Sequence, residues 1–193
     1  PTSTSANINK NTFTNLNLNT SGPVTFIYRL GNMTATGSEH CDSNSIVTAF
    51  SKSDGSAVTF FSAGSSSVAG SVMVNNLNNF SNVTVVGSTN LSGWLNSEGA
   101  SSTNGPAKTI TNNTFNNIAG GTSPVTLMSV NYSGGPSSVS NNTITNFNTT
   151  GAIVAMTLGN ANSTTQTITV SGNVFGILTS GTSSVTAISS SAS

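Results

Sequence analysis

The densest group of chemically capable side chains in this sequence is Glu39-His40-Cys41-Asp42, with Lys52 and Asp54 a short distance downstream. Such a group could hold a metal ion or transfer a proton. However, one cysteine and one histidine are too few for a closed zinc site. Cys41 also falls on a repeat position that other units fill with apolar residues, where a free cysteine packs as a small hydrophobe. We therefore predict a buried Cys41, outward-directed His40 and Asp42, and no metal or cofactor.

The acidic residues limit the hydrolytic chemistry that this chain could perform. The four of them are Glu39, Asp42, Asp54 and Glu98. Glycoside hydrolysis needs two carboxyl groups about 5–9 Å apart, and calcium-assisted elimination needs more acidic ligands. Because Glu39 and Asp54 flank one coil of the arrangement derived below, a carboxylate pair stays open. The small number of acidic residues favours a protein that is not an enzyme, and a polysaccharide-active β-helix enzyme is the alternative.

Two kinds of binding surface are also open to this chain. Trp94 and Tyr132 lie in predicted loops, where either ring could stack on a sugar. Rows of threonine on a flat β-face could bind ice, and Thr12/Thr14 and Thr143/Thr145 flank their repeat positions in the same register. The other four units interrupt that row. A carbohydrate- or ice-binding module is therefore a second alternative.

Charge is scarce along the whole chain, since four basic and four acidic residues give 193 residues a formal net charge of zero. No basic stripe exists that could displace the counterions of a nucleic acid, and no apolar run approaches the roughly 18 residues of a membrane span. Only 4% of residues are charged, against about 25% in ordinary domains. This favours an extracellular or cell-surface protein, in which attached sugar could assist solubility. Candidate glycosylation sites in Asn-x-Ser/Thr triplets are Asn19, Asn32, Asn82, Asn90, Asn131, Asn148 and Asn162.

One short pattern occurs six times: apolar, two residues, Asn, one residue, apolar, two residues, apolar. Repeats of roughly 30 residues are typical of solenoids, whose units bury their apolar faces only by stacking. Asn tolerates the left-handed backbone of a tight bend, and stacked amides satisfy one another inside a protein. The pattern predicts a ladder of Asn11, Asn44, Asn75, Asn113, Asn142 and Asn173. It also predicts a core column of Phe13, Ile46, Leu77, Phe115, Ile144 and Phe175.

The segments between these positions read as short strands separated by turn residues. Apolar-Thr clusters such as Val58-Thr59-Phe60-Phe61 recur after most of the repeat positions. The third unit is irregular, because its cluster at 83–86 comes early and residues 87–107 read as an inserted loop that carries Trp94. The predicted fold is all-β: a single-stranded right-handed parallel β-helix of about six coils. It forms one domain over residues 1–193, with units anchored near residues 13, 46, 77, 115, 144 and 175.

The bends resemble the asparagine ladder of right-handed parallel β-helices of the pectate-lyase type. The segments Asn113-Thr114-Phe115-Asn116-Asn117-Ile118 and Asn142-Thr143-Ile144-Thr145-Asn146-Phe147 are also similar to repeats of large secreted surface proteins of Bacteroidetes-type bacteria. That second resemblance implies an exported protein with an adhesive or structural role.

These observations lead us to expect a non-catalytic extracellular β-solenoid that acts as a rigid stalk, an adhesin segment or a self-assembling filament subunit. The repeats begin within eight residues of Pro1, and the last strand ends near Ile188, so no capping element is expected. Open solenoid ends expose unpaired strand edges. The expected partners are therefore neighbouring coils of a longer chain or other copies placed end to end, together with surface carbohydrate.

Overall fold

The chain folds into a parallel β-solenoid, as predicted, with about five turns. The computed structural model describes residues 2–16, 18, 20–52, 55–64, 67–98, 105–132, 134–160 and 166–192. All regular elements in these ranges are strands. No helix in the described part of the chain is long and apolar enough to cross a membrane.

Three sheets, which we call A, B and C, run along the solenoid axis, and every pairing between named strands is parallel in the described ranges. Sheet A contains β1 (Thr2–Asn7), β4 (Asn32–Asp42), β8 (Val72–Asn76), β11 (Ala107–Thr111), β14 (Ser137–Ser140) and β17 (Ile168–Ser171). Sheet B contains β6 (Phe50–Lys52), β9 (Val83–Val85), β12 (Thr114–Ala119), β15 (Thr143–Thr149) and β18 (Val174–Ser180). The short strands β2 (Thr12–Phe13) and β5 (Ser45–Ile46) pair beside it. Sheet C contains β3 (Val24–Arg29), β7 (Val58–Ala63), β10 (Leu91–Asn96), β13 (Val125–Asn131), β16 (Ile153–Asn160) and β19 (Val185–Ala192).

Equivalent residues of successive coils stack in columns that run along the axis. In sheet C, for example, Val58, Leu91, Val125 and Ile153 are paired in order, and all four are buried. A slip of one residue would turn such a column to the outside, so the burial of these side chains holds the register. The interior is aromatic in the early coils, where the Phe60 and Phe80 ring centroids lie 5.1 Å apart and stack.

The sequence pattern predicted that the ladder asparagine adopts the left-handed conformation at the bend between sheets A and B, and this prediction is wrong. The left-handed residue is the one immediately before it in every coil, where φ lies between 55° and 63°. These residues are Lys10, Ser43, Leu77, Asn112, Asn141 and Gly172. The asparagine that follows is thereby free to direct its side chain along the ladder.

The third unit departs from the predicted register by three residues. Asn75 is paired with Cys41 and Ile110, so it occupies the apolar anchor position rather than the ladder position. Leu77, predicted to lie in the core column, is 56% exposed. The bulky Phe80, which is fully buried, fills that place beside Ile46 instead.

The predicted inserted loop is also wrong, because β10 lies inside residues 87–107. This strand pairs with β7 and β13 as a regular member of sheet C. Trp94 is therefore completely buried, and its ring stacks on Phe61 with centroids 4.0 Å apart. Tyr132, predicted in a loop, is likewise buried. Neither ring is available as a platform for sugar.

Candidate functional site

The asparagine ladder consists of five links that join Asn11, Asn44, Asn78, Asn113, Asn142 and Asn173. In each link the side-chain amide donates to Oδ1 of the asparagine one coil later, over 2.8–2.9 Å. The backbone N–H of the same residue donates to that Oδ1 as well, over 3.0–3.1 Å. Asn78 replaces the predicted Asn75 in this set.

A third hydrogen bond completes each link of the ladder. The amide of Asn113 donates to the carbonyl oxygen of Asn75, and the amide of Asn142 donates to that of Ile110, both over 3.0 Å. Each internal asparagine thus uses both amide hydrogens and both lone-pair directions of Oδ1. Because every hydrogen-bonding group of these four side chains has a partner, the side chains can be buried completely or nearly so without a large energetic cost.

Asn75 is a buried polar residue at a position that other coils fill with an apolar side chain or Cys41. Its Oδ1 accepts a hydrogen bond from Trp94 Nε1 over 3.2 Å, and its amide donates to the carbonyl oxygen of Val74 over 3.0 Å. The only tryptophan of the chain thus provides the partner that an unpaired core amide would lack.

A second polar group inside the solenoid is a buried ion cluster of Arg29, Glu39, Glu98 and Lys108. All four side chains are at most 5% exposed. Arg29 Nη1 lies 2.8 Å from Glu98 Oε1, and Arg29 Nε contacts Glu39 Oε2. The Arg29 side chain reaches the third coil because the residue below it in sheet C is Ala63, whose methyl group leaves the space open.

Hydrogen bonds to uncharged groups extend the ion cluster across several coils. Ser67 Oγ donates to Glu98 Oε1 over 2.9 Å and accepts from the backbone N–H of Met33 over 3.0 Å. Lys108 Nζ donates to the carbonyl oxygen of Glu98 over 2.6 Å and also to that of Asn131. The cluster therefore ties the first coil to the coils that follow it.

Burial shifts the protonation of two members of the cluster. Burial raises the pKa of Glu39 from 4.5 to about 7, with Arg29 opposing the shift and Glu98 adding to it. Burial lowers the pKa of Lys108 from 10.5 to about 7, and Glu98 opposes that shift. Perturbed groups of this kind often mark active sites. Here they lie inside the coil stack, where substrate has no access, so we interpret the cluster as structural.

The motif at residues 39–42 does not form one site, because its residues point to opposite sides of β4. Cys41 is completely buried, as predicted, and Glu39 is directed inward beside it. His40 and Asp42 face outward, as predicted, and His40 Nδ1 lies 3.2 Å from Asp42 Oδ2. Asp54 lies outside the described residues, so the structure does not test whether it pairs with Glu39. In the described ranges no three His, Cys, Asp or Glu side chains converge.

The outer face of sheet B carries a groove of about 280 Å³, which we call the amide groove. It arises because two residues, rather than one, separate inward positions such as Phe115 and Ile118. The second of these two residues has a positive φ and lies at the surface in each of the last four coils. Three of them are asparagines, with φ of 60°, 55° and 53°. The lining residues are Ala49, Asn82, Thr84, Asn117, Ile118, Ala119, Asn146 and Asn148.

The candidate glycosylation sites stay predictions. Asn82, Asn90 and Asn148 are exposed, and Asn32 and Asn131 are half-buried. Asn19 and Asn162 lie outside the described residues.

The sequence did not predict the ion cluster, although each of its four members lies at an inward position of a strand or just beyond one.

No family model, curated protein or solved structure matches the chain.

Proposed function

We propose that this chain is a non-catalytic structural or adhesive β-solenoid of the extracellular space or cell surface. It would act as a rigid stalk, an adhesin segment or a filament subunit. The observation that carries the proposal is the unbroken asparagine ladder, whose five links hold all six units in one column. A stack with continuous hydrogen bonding along its axis resists bending and local opening, which suits a load-bearing spacer.

The placement of the charged residues supports a non-catalytic role. Glu39 and Glu98 are committed to Arg29 inside the stack. Asp42 Oδ1 accepts a hydrogen bond from the backbone N–H of Asn76 over 2.9 Å, and its other oxygen faces His40. The acidic side chains that the structure describes therefore serve the scaffold.

The surface at the end of the last coil supports partners along the axis. Ile188 pairs with the fully buried Met156 and continues its inward column, yet Ile188 is 45% exposed. Apolar surface of this kind is typical of contacts with other protein. We propose that further coils of a longer chain, or other copies, cover it.

Single-molecule pulling between the two ends tests the stalk function. We expect the chain to resist extension as one cooperative unit, and an Asn113→Ala variant to yield at distinctly lower force. The matched control is Asn112→Gly, at an exposed asparagine next to the ladder where φ is 56° and glycine introduces no strain. A parent protein found inside cells, or reducing ends released from a polysaccharide by the purified chain, would contradict the proposal.

A further inference from the structure

The amide groove presents polar groups that the fold itself does not use. Asn117 Nδ2 donates to Asn82 Oδ1 over 2.8 Å, which leaves the amide hydrogens of Asn82 and Oδ1 of Asn117 facing the groove. Asn146 Nδ2 donates to Asn116 Oδ1 over 2.8 Å, so its own Oδ1 is open. Within the described residues, the side chains of Thr84 and Asn148 make no hydrogen bond, and both are exposed.

These groups form two columns that run along the solenoid axis. One column is Ala49, Asn82, Asn117 and Asn146, and the other is Thr84, Ala119 and Asn148, as the pairing of β6, β9, β12 and β15 requires. Successive coils are about 4.8 Å apart, because the strands pair in parallel. A ligand that lies along the groove therefore meets an amide in each of three successive coils, from Asn82 through Asn117 to Asn146.

We propose that the amide groove binds a linear neutral glycan whose chain lies parallel to the solenoid axis. Sugar hydroxyls both donate and accept hydrogen bonds, and a carboxamide offers a donor and an acceptor side by side. The small lining residues Ala49 and Ala119 leave room for a ring between the amides. At about 280 Å³, the groove lies near the lower end of ligand pockets, so it holds few rings at once and binding is weak.

The charge and position of the groove favour this ligand over other polymers. None of the eight lining residues is charged, so nothing there compensates the carboxylates of an acidic glycan or the phosphates of a nucleic acid. A peptide that adds as a strand needs an open sheet edge. The groove instead lies on the face of sheet B, whose backbone groups are already paired from coil to coil.

The inference names a ligand class for the adhesive role proposed above. It rests on that proposal only in assuming that the bound glycan is not cleaved. Asn82 and Asn148 are also candidate glycosylation sites, and a sugar attached there would itself occupy the groove. The binding experiment therefore uses protein from a host that does not glycosylate asparagine.

The test is an NMR titration of the labelled chain with cellohexaose and, separately, mannohexaose, with a galacturonate hexamer as the acidic counterpart. We expect at least one neutral hexasaccharide to shift the side-chain amide signals of Asn82, Asn117 and Asn146. An Asn117→Gly variant should bind about fivefold more weakly, the effect of one lost hydrogen bond. Glycine suits the position because φ there is 55°.

Asn112→Gly is the matched control, because Asn112 is also exposed and has φ of 56°. It too donates its amide to an asparagine of the preceding coil, Asn76, over 2.9 Å. Its affinity should stay unchanged. The inference is overturned if neither neutral sugar shifts the groove amides at millimolar concentration, if both variants weaken binding equally, or if the galacturonate binds best. New reducing-end signals would instead overturn the non-catalytic function and leave the binding site standing.

Discussion

Replacing Glu39 by glutamine removes from the buried ion cluster a carboxyl group whose pKa is raised to about 7. Glutamine has nearly the shape of the protonated acid and keeps the pair between Arg29 and Glu98 intact. Because Glu39 is completely buried, solvent screens its interactions little. The substitution therefore reports on the cost of holding a carboxylate at this position.

The sign of the effect follows from the direction of the shift. The pKa of Glu39 rises from 4.5 to about 7 on folding, so the folded chain binds this proton more tightly than the unfolded chain. The stability that Glu39 contributes is fully present below pH 4.5 and is lost as the pH rises through 7. The loss amounts to about 3 kcal/mol. Lys108 acts at higher pH, since its contribution is present above pH 10.5 and is lost as the pH falls through about 7.

Urea denaturation of the wild type and Glu39→Gln at several pH values from 4.5 to 7 measures this loss. The free energy of unfolding of the wild type should fall across this window by about 3 kcal/mol relative to that of the variant. Ionisable groups that the two chains share contribute equally to both profiles and cancel in the difference. Parallel pH profiles for the two chains would refute the assignment of Glu39 as a carboxyl with a raised pKa.

Three further tests probe the interior: the ladder, the pair of Trp94 and Asn75, and the burial of Cys41. Asn113→Ala should lower the free energy of unfolding by roughly 3–5 kcal/mol, because it removes hydrogen-bond partners from buried groups in both neighbouring coils. Asn11→Ala, at the exposed end of the ladder, should lower it by only about 1 kcal/mol. Equal losses for the two variants in urea denaturation would contradict the ladder. Trp94→Phe should cost roughly 1–3 kcal/mol by removing the donor to Asn75, and adding Asn75→Ile should recover part of it. Burial raises the pKa of the Cys41 thiol, so a thiol reagent at pH 8 should label it only after unfolding, and rapid labelling of the folded chain would count against this.

The coil period and the ladder could be predicted from the sequence because both depend on local spacing that recurs. An asparagine two residues before an inward position is required wherever the chain turns from sheet A to sheet B. Apolar residues at the flanking positions then identify the turn in five of the six units. Stacking supplies the rest, since a repeated spacing can be buried only against its own neighbours.

The third unit shows where local spacing is not sufficient. The segment from Val72 to Val83 can be aligned with the pattern in two registers. With Asn75 in the ladder every position matches, whereas with Asn78 in the ladder the anchor position holds the polar Asn75. The first has the more apolar anchor, but it would leave Phe80 without the central core position and leave a gap of 38 residues before the next anchor. With Asn78 in the ladder, the neighbouring links span 34 and 35 residues. Even spacing was the better criterion, because coils of one solenoid have similar perimeters.

The ion cluster could not be predicted in this way because it depends on groups from separate coils. Nothing local to Arg29 indicates that its partner is Glu98, 69 residues later. The pairing needs Ala63 in the intervening coil and a strand at 91–96 that ends just before Glu98, and the sequence alone suggested a loop there. Drawing these charges inward has a consequence for the surface. Five of the seven charged residues that the structure describes are buried, so the outer face of sheet B is left with amides, hydroxyls and methyl groups, the chemistry that a neutral sugar polymer matches.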